Sequence, residues 1–173
     1  MKNNIMIMNF SGVYEMQGLK TALEKKVDSV VAEAENMAAK PVITQLDFQD
    51  IPGTNCYCDS LAEEEIGKRI APFGPEGIHF LDSGNYHYLT KLWLELIKVP
   101  FELLVFDHHT DMQCPAFGGI LSCGGWIREA LETNENLKHV ILVGRHSLQW
   151  KKRKKNWQKE WGRTVGESNH GSS

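Results

Sequence analysis

Asp107, His109 and Asp111 occupy alternate positions directly after the apolar run Leu103-Leu104-Val105-Phe106, which concentrates metal-ligand side chains at the end of a strand. If the backbone stays extended, alternate residues project to one side, so two carboxylates and an imidazole would share a face. Oxygen-rich ligation with imidazole suits Mn²⁺ or Fe²⁺, with Zn²⁺ also accommodated, whereas thiolates would mark a structural zinc site. Carboxylates can bridge two ions, so a two-metal centre is compatible with this set. The plainer alternative is that Asp107 caps the next turn and the histidines are ordinary surface residues.

Cys56, Cys58, Cys114 and Cys123 form a second reactive set. Cys123 precedes a predicted helix, whose dipole would lower its thiol pKa and favour thiolate. As a catalytic nucleophile it would also need a base; the alternative is a packing or pocket-lining role. Cys56 and Cys58 with Cys114 and Cys123 offer a zinc alternative, although C-x-C lacks the usual knuckle spacing. Residues 55 to 59 form a polar loop placed to face the site. The N-terminal apolar run is too short for a secretory signal and lacks a small-residue cleavage site, so the expectation is reduced thiols in a cytoplasmic protein.

Alternating strands and helices must position these groups. Ile5 to Phe10 reads as a strand, and Gly18 to Ala39 as a helix with Leu19, Leu23, Val27, Val30, Val31 and Ala34 at helical spacing. Val42 to Phe48 is a second strand. Asp59 or Ser60 caps a helix running to Ile70, with acidic residues in its first turn. Strand Ile78 to Leu81 precedes a helix over Tyr86 to Ile97, which Pro100 ends. Leu103 to Phe106 reads as a strand buried on both faces. A helix from Gly124 to about Thr133 and a strand Val140 to Val143 follow. His79, alternating into an apolar strand, reads as a satisfied core histidine. The order predicts an α/β fold, a parallel sheet flanked by helices with right-handed crossovers, and ligands in such sheets bind beyond the carboxyl ends of the strands.

Val105-Phe-Asp-His-His-Thr-Asp-Met-Gln113 resembles the D-A-H-T-D-I-N signature of the arginase and agmatinase (ureohydrolase) superfamily. Gly84-Asn-Tyr-His87 is similar to that family's G-G-D-H, and Leu121-Ser-Cys-Gly124 to its N-L-H-G with Cys123 in the place of histidine. The matches cover residues 78 to 144 in the family's order. The resemblance implies a three-layer arginase-like fold, incomplete at its C-terminal side, and two Mn²⁺ ions. His87, Asp107 and Asp111 would hold one ion, and His109 with bridging Asp107 the other. It further implies that Asp111 orients the nucleophile, that Gln113 contacts substrate, and that Cys123 replaces a proton-shuttling group. Asp82, ending its strand, would be an outer partner for His87. The family's later D-x-D has no counterpart, because no Asp follows Asp111.

The expected activity is metal-dependent hydrolysis of a guanidino or amide C–N bond in a small-molecule or peptidyl substrate. Amide deacetylation is a neighbouring alternative, and a catalytically silent arginase-like binding module is another. A chain of 173 residues can bury one core, its net charge of −3 gives no global attraction to nucleic acid, and no segment is long enough to span a bilayer. A homo-oligomer is compatible with this composition. The expected organisation is a domain over 1–144 and a basic tail over 145–173, whose Lys151-Lys-Arg-Lys-Lys155 run and Trp150, Trp157 and Trp161 would form a stripe on a helix. That tail reads either as a non-homologous end or as a binding helix.

Overall fold

A continuous apolar run, Ile5-Met-Ile-Met8, forms the first strand, β1 (Asn4–Asn9), whose residues from Ile5 onward are buried on both faces. In the computed structural model, which describes residues 4–33, 40–114, 119–144, 148–153 and 156–161, β1 is the centre of a three-stranded parallel sheet. Its neighbours are β2 (Val42–Asp47) and β4 (Ile78–Phe80). A short helix α1 (Val13–Met16) and the helix α2 (Leu19–Glu33) connect β1 to β2, and α2 packs against β2. The helical pattern expected over 18–39 is present as far as Glu33, and its last residues lie outside the described ones. Its apolar spacing is weakly used: Val27 is the buried residue of α2, and Val30 is exposed.

The two-residue strand β3 (Tyr57–Cys58) leads into α3 (Ser60–Ile70). Asp59 caps α3 as its sequence requires, accepting hydrogen bonds from the Leu61 and Ala62 amides, and Ala62, Ile66 and Ile70 form its buried stripe. After β4 a single continuous helix over 86–97 does not form. A 3-10 turn at Gly84–Tyr86 precedes a short helix, α4 (Leu89–Leu94). Both ends tighten into i to i−3 hydrogen bonds, at His87, Thr90 and Lys91 and again at Leu96 and Ile97. Such tightening satisfies terminal groups that α-helical geometry would leave free.

The second sheet contains β5 (Phe101–Phe106), β7 (Leu137–Val143), β8 (Leu148–Arg153) and β9 (Asn156–Trp161), in that order. Strand β6 (Leu121–Ser122) pairs antiparallel with β3, and α5 (Trp126–Thr133) connects β6 to β7. β5 and β7 are parallel, whereas β8 and β9 are antiparallel additions on the outer edge of β7. The tail is therefore strand rather than the expected Trp-striped helix; alternation in Leu148-Gln-Trp-Lys-Lys-Arg153 fits a strand period, and the open β7 edge offers the pairing partner. The expectation that β5 is buried on both faces also fails. Leu103 and Val105 pack on the core, but Leu104 is 54% and Phe106 76% exposed.

One hydrophobic cluster spans both sheets. Met6 and Met8 of β1, Ile66 and Ile70 of α3, Leu89 and Trp93 of α4, Ile127 and Leu131 of α5, and Val140 and Leu142 of β7 all belong to it. The architecture is mixed α/β, with parallel strands flanked by helices, but the parallel strands are divided between two sheets whose inner edges, β4 and β5, are not hydrogen-bonded to each other. Among the described residues, no helix is long and apolar enough to cross a membrane.

Candidate metal centre

The carboxyl ends of β4 and β5 point to the same region. Past β4 the chain turns through Asp82, whose φ of 65° is left-handed, into the 3-10 turn that presents His87. Hydrogen bonds secure this turn on both sides. Asn85 Nδ2 donates to Asn55 Oδ1 at 3.0 Å, and the buried Tyr88 hydroxyl donates to the Thr54 carbonyl at 2.6 Å. The polar loop after Pro52 thus lies beside the site, as its composition suggested.

Past β5, Asp107 keeps its place through its amide, which donates to the Val143 carbonyl at 3.0 Å. Gly144 lies so close that a Cβ there would fall 1.8 Å from the Asp107 carbonyl oxygen, so only glycine lets the end of β7 pass. The backbone then bends instead of staying extended. The His109 amide donates to Asp107 Oδ1 at 2.8 Å, and Asp111 adopts a φ of 46°. Helix α5 holds Asp111. The Ile127 amide donates to the Asp111 carbonyl at 3.1 Å, and Trp126 Nε1 donates to Asp111 Oδ2 at 2.6 Å.

His87 Nδ1 stands 3.7 Å from Asp107 Oδ2 and 3.8 Å from Asp111 Oδ2. One ligand atom from each of the three residues lies within 4.8 Å of the others, and this is the one such cluster of His, Cys, Asp and Glu among the described residues. The Asp111 carboxylate beside His87 raises the imidazole pKa above its ordinary value; burial opposes this and the charge of Asp107 reinforces it. Asp111 is nearly buried and Asp107 largely so, whereas the His87 ring is half exposed. His109 is at the rim: its Nδ1 is 3.4 Å from Asp107 Oδ1, yet the side chain is 85% exposed and outside the cluster. The same-side alternation expected for Asp107, His109 and Asp111 is thus replaced by a bent loop that delivers both carboxylates to His87.

Other expected residues are placed differently. Asp82 does not serve His87; its carboxylate accepts from the Phe10, Ser11 and Ser83 amides and from the Ser11 hydroxyl. It ties the end of β4 to the loop after β1. Gln113 is exposed and lies over the Gly124-Gly125 turn, its amide donating to the Gly124 carbonyl at 3.0 Å. Cys123 donates its amide to the Cys56 carbonyl at 2.9 Å, and its thiol pKa is raised by burial, by Cys56 and by the charge of Asp111. The expected helix-dipole activation is outweighed. Burial and the charge of Glu63 push the Cys58 thiol up to about 12, and the cysteines do not gather into a metal-sized cluster among the described residues. His79, read as a satisfied core histidine, packs its ring 4.0 Å from that of Trp93 with Nε2 buried and unpartnered among the described residues.

Trp126 and Gly144 carried no motif that would have singled them out. Only the fold brings the indole to Asp111 and the end of β7 to Asp107.

No family model matches the chain, and no solved structure matches it. A protein of Thermotoga maritima, named only as an uncharacterized protein, is 34% identical over 140 residues, covering 81% of this chain and 47% of its own length. The chain therefore spans about half the length of this relative.

Proposed function

We propose that His87, Asp107 and Asp111 bind a divalent cation, with Mn²⁺ as the first choice, and that the site belongs to a hydrolase of the ureohydrolase type acting on a guanidino or amide C–N bond. The observation that carries this reading is the convergence of one imidazole and two carboxylates, from two separate loops, to within 4.8 Å at the carboxyl ends of parallel strands. Two carboxylates held this close repel each other unless a cation or proton lies between them, and an oxygen-rich set with imidazole fits Mn²⁺ or Fe²⁺. The order of Gly84-Asn-Tyr-His87 and Asp107-His-His-Thr-Asp111 along the chain, similar to the family's own, supports the same reading and its arginase-like fold.

When bound, such an ion acts as a Lewis acid and makes hydroxide available at neutral pH. The chain's own groups do the positioning. Trp126 Nε1 holds Asp111 Oδ2, the same oxygen that faces His87, and so fixes the direction of that carboxylate. Asp107, hydrogen-bonded by the His109 amide on Oδ1, offers Oδ2 to the centre. His109, at the open rim beside Asp107, is proposed to hold a second ion, and Gln113 and Cys123 are proposed to contact substrate.

A second reading has its own support. The cluster gathers three ligand residues and leaves the exposed His109 outside it, so a metal-binding module without turnover is the alternative. Calorimetric titration with Mn²⁺, followed by assay of urea release from guanidino compounds and of amide cleavage, separates the two. About two ions per chain with turnover supports the hydrolase; one ion without turnover supports the module. Absence of binding rejects both.

A further inference from the structure

Cys56 and Cys123 stand opposite each other at the end of the short ladder that β3 and β6 form. Tyr57 pairs with Ser122 and Cys58 with Leu121, so the next step of the same register sets Cys56 against Cys123. The Cys123 amide, donating to the Cys56 carbonyl at 2.9 Å, carries the ladder to that step. Directly opposed residues of an antiparallel ladder hold their Cα atoms roughly 4.5–5.5 Å apart, inside the range of about 4.4–6.8 Å that a disulfide spans. The side chains also meet, because a hydrogen bond joins the Cys56 and Cys123 thiols. Both are free and half-buried, so a small reagent can reach them. The other two cysteines are engaged elsewhere. Cys58 is buried and hydrogen-bonded to Tyr88, and the exposed Cys114 sulfur accepts from Arg128 Nη1 at 3.1 Å.

We infer that Cys56 and Cys123 form a reversible disulfide by exchange with a low-molecular-weight disulfide such as oxidised glutathione. One thiolate attacks a sulfur of the reagent, whose S–S bond breaks to release one reduced glutathione. The second thiolate attacks the resulting mixed disulfide, which forms the Cys56–Cys123 bond and releases the other glutathione. The chain loses two S–H bonds. Its two electrons and two protons end on the two reduced glutathione molecules. Proximity favours the second step, because the fold already holds the two sulfurs together and no flexible chain has to close for them to meet. The bond lies against the candidate metal centre. Asn55, next to Cys56, accepts from Asn85 in the turn that presents His87, and Cys123 is close enough to Asp111 to feel its charge. Oxidation therefore consumes a thiol at the rim of that site and ties the Asn55 loop to β6.

The inference does not depend on metal binding, and its test uses the full chain without metal. The folded protein is equilibrated with mixtures of reduced and oxidised glutathione, quenched with acid, alkylated and mapped by peptide mass. A bond between Cys56 and Cys123 is expected, with an equilibrium constant for its formation about 100-fold or more above that of the urea-unfolded chain. Dithiothreitol should reverse it. Cys114→Ser should leave that constant unchanged, whereas Cys56→Ser should leave Cys123 with no partner but glutathione. Three outcomes overturn the proposal: both thiols remaining open to alkylation in the folded chain at every glutathione ratio, a bond from either one to Cys58 or Cys114 instead, or a Cys56–Cys123 bond that forms no more favourably than in urea.

Discussion

Asp111 shows how far one side chain depends on its setting. In the proposed metal centre its carboxylate is set by Trp126, which pins Oδ2, and by α5, which pins its carbonyl. Outer partners of this kind typically matter about 10- to 100-fold in metal affinity. Trp126→Phe keeps an aromatic, though smaller, ring and removes the donor, so Mn²⁺ affinity should fall by about that factor while the fold persists; unchanged affinity in calorimetry would show that the indole does not orient the ligand. Asp107→Ala should eliminate binding more completely than Asp111→Ala, since Asp107 is the carboxylate shared with His109. Asp82 acts on stability instead. Burial works against its charge, but hydrogen bonds from Ser11, Phe10 and Ser83 prevail and hold its pKa below the usual 3.8. A depressed carboxylate contributes stability above its unfolded pKa and loses it as pH falls through the folded value. Asp82→Asn should therefore lower stability at neutral pH and flatten its loss as pH falls below about 4, as urea unfolding at several pH values would measure.

At the scale of elements, two contacts hold the site's supports together. The end of β7 passes the end of β5 at Gly144, where no side chain fits against the Asp107 carbonyl. Gly144→Ala should push Asp107 out of register, lowering the melting temperature by several degrees, roughly, and weakening Mn²⁺ binding with it; a variant that keeps both wild-type values would refute this coupling. Helices α3, α4 and α5 meet at Lys91, whose ammonium, nearly inaccessible, is paired with Glu63 and lies 2.9 Å from Glu95 and 3.5 Å from Glu129. Burial opposes the charge, but hydrogen bonds to Glu63 and Glu95 outweigh it and raise the lysine pKa, while burial raises that of Glu129. A raised lysine contributes its full stability below its unfolded value of 10.5 and loses it only as pH climbs through the folded value. Lys91→Met leaves several carboxylates without their cation, so a loss of about 3 kcal/mol is expected in denaturant unfolding. Adding Glu129→Gln should recover part of it.

For the whole molecule, the tail decides whether the second sheet has an open outer edge. Because β8 pairs along His139 to Leu142, residues 145–173 are not expected to be dispensable. A fragment ending at Gly144 should aggregate through the bared β7 edge while the full chain stays dispersed; a soluble, cooperatively melting 1–144 fragment would show that the hairpin contributes nothing. Much of this molecule is legible locally. The strands around Ile5, Val42, Ile78, Leu103 and Val140 and the Asp59 cap follow from period, capping chemistry and apolar runs, which act over a few residues. Even the meeting of His87 with Asp107 could be expected from strand ends in a parallel α/β order. Tertiary structure decided the rest. A helical wheel and a strand pattern both accommodate the Trp-bearing tail, and the free edge of β7 selects the strand. An apolar run such as Leu103 to Phe106 states that a strand is apolar on both faces but not what covers each face, so the exposure of Leu104 and Phe106 appears only once β4 and β5 stand apart. Likewise the grip of Trp126 on Asp111 and the passage of Gly144 past Asp107 join residues far apart in the chain, and close packing in three dimensions, rather than local propensity, places them together.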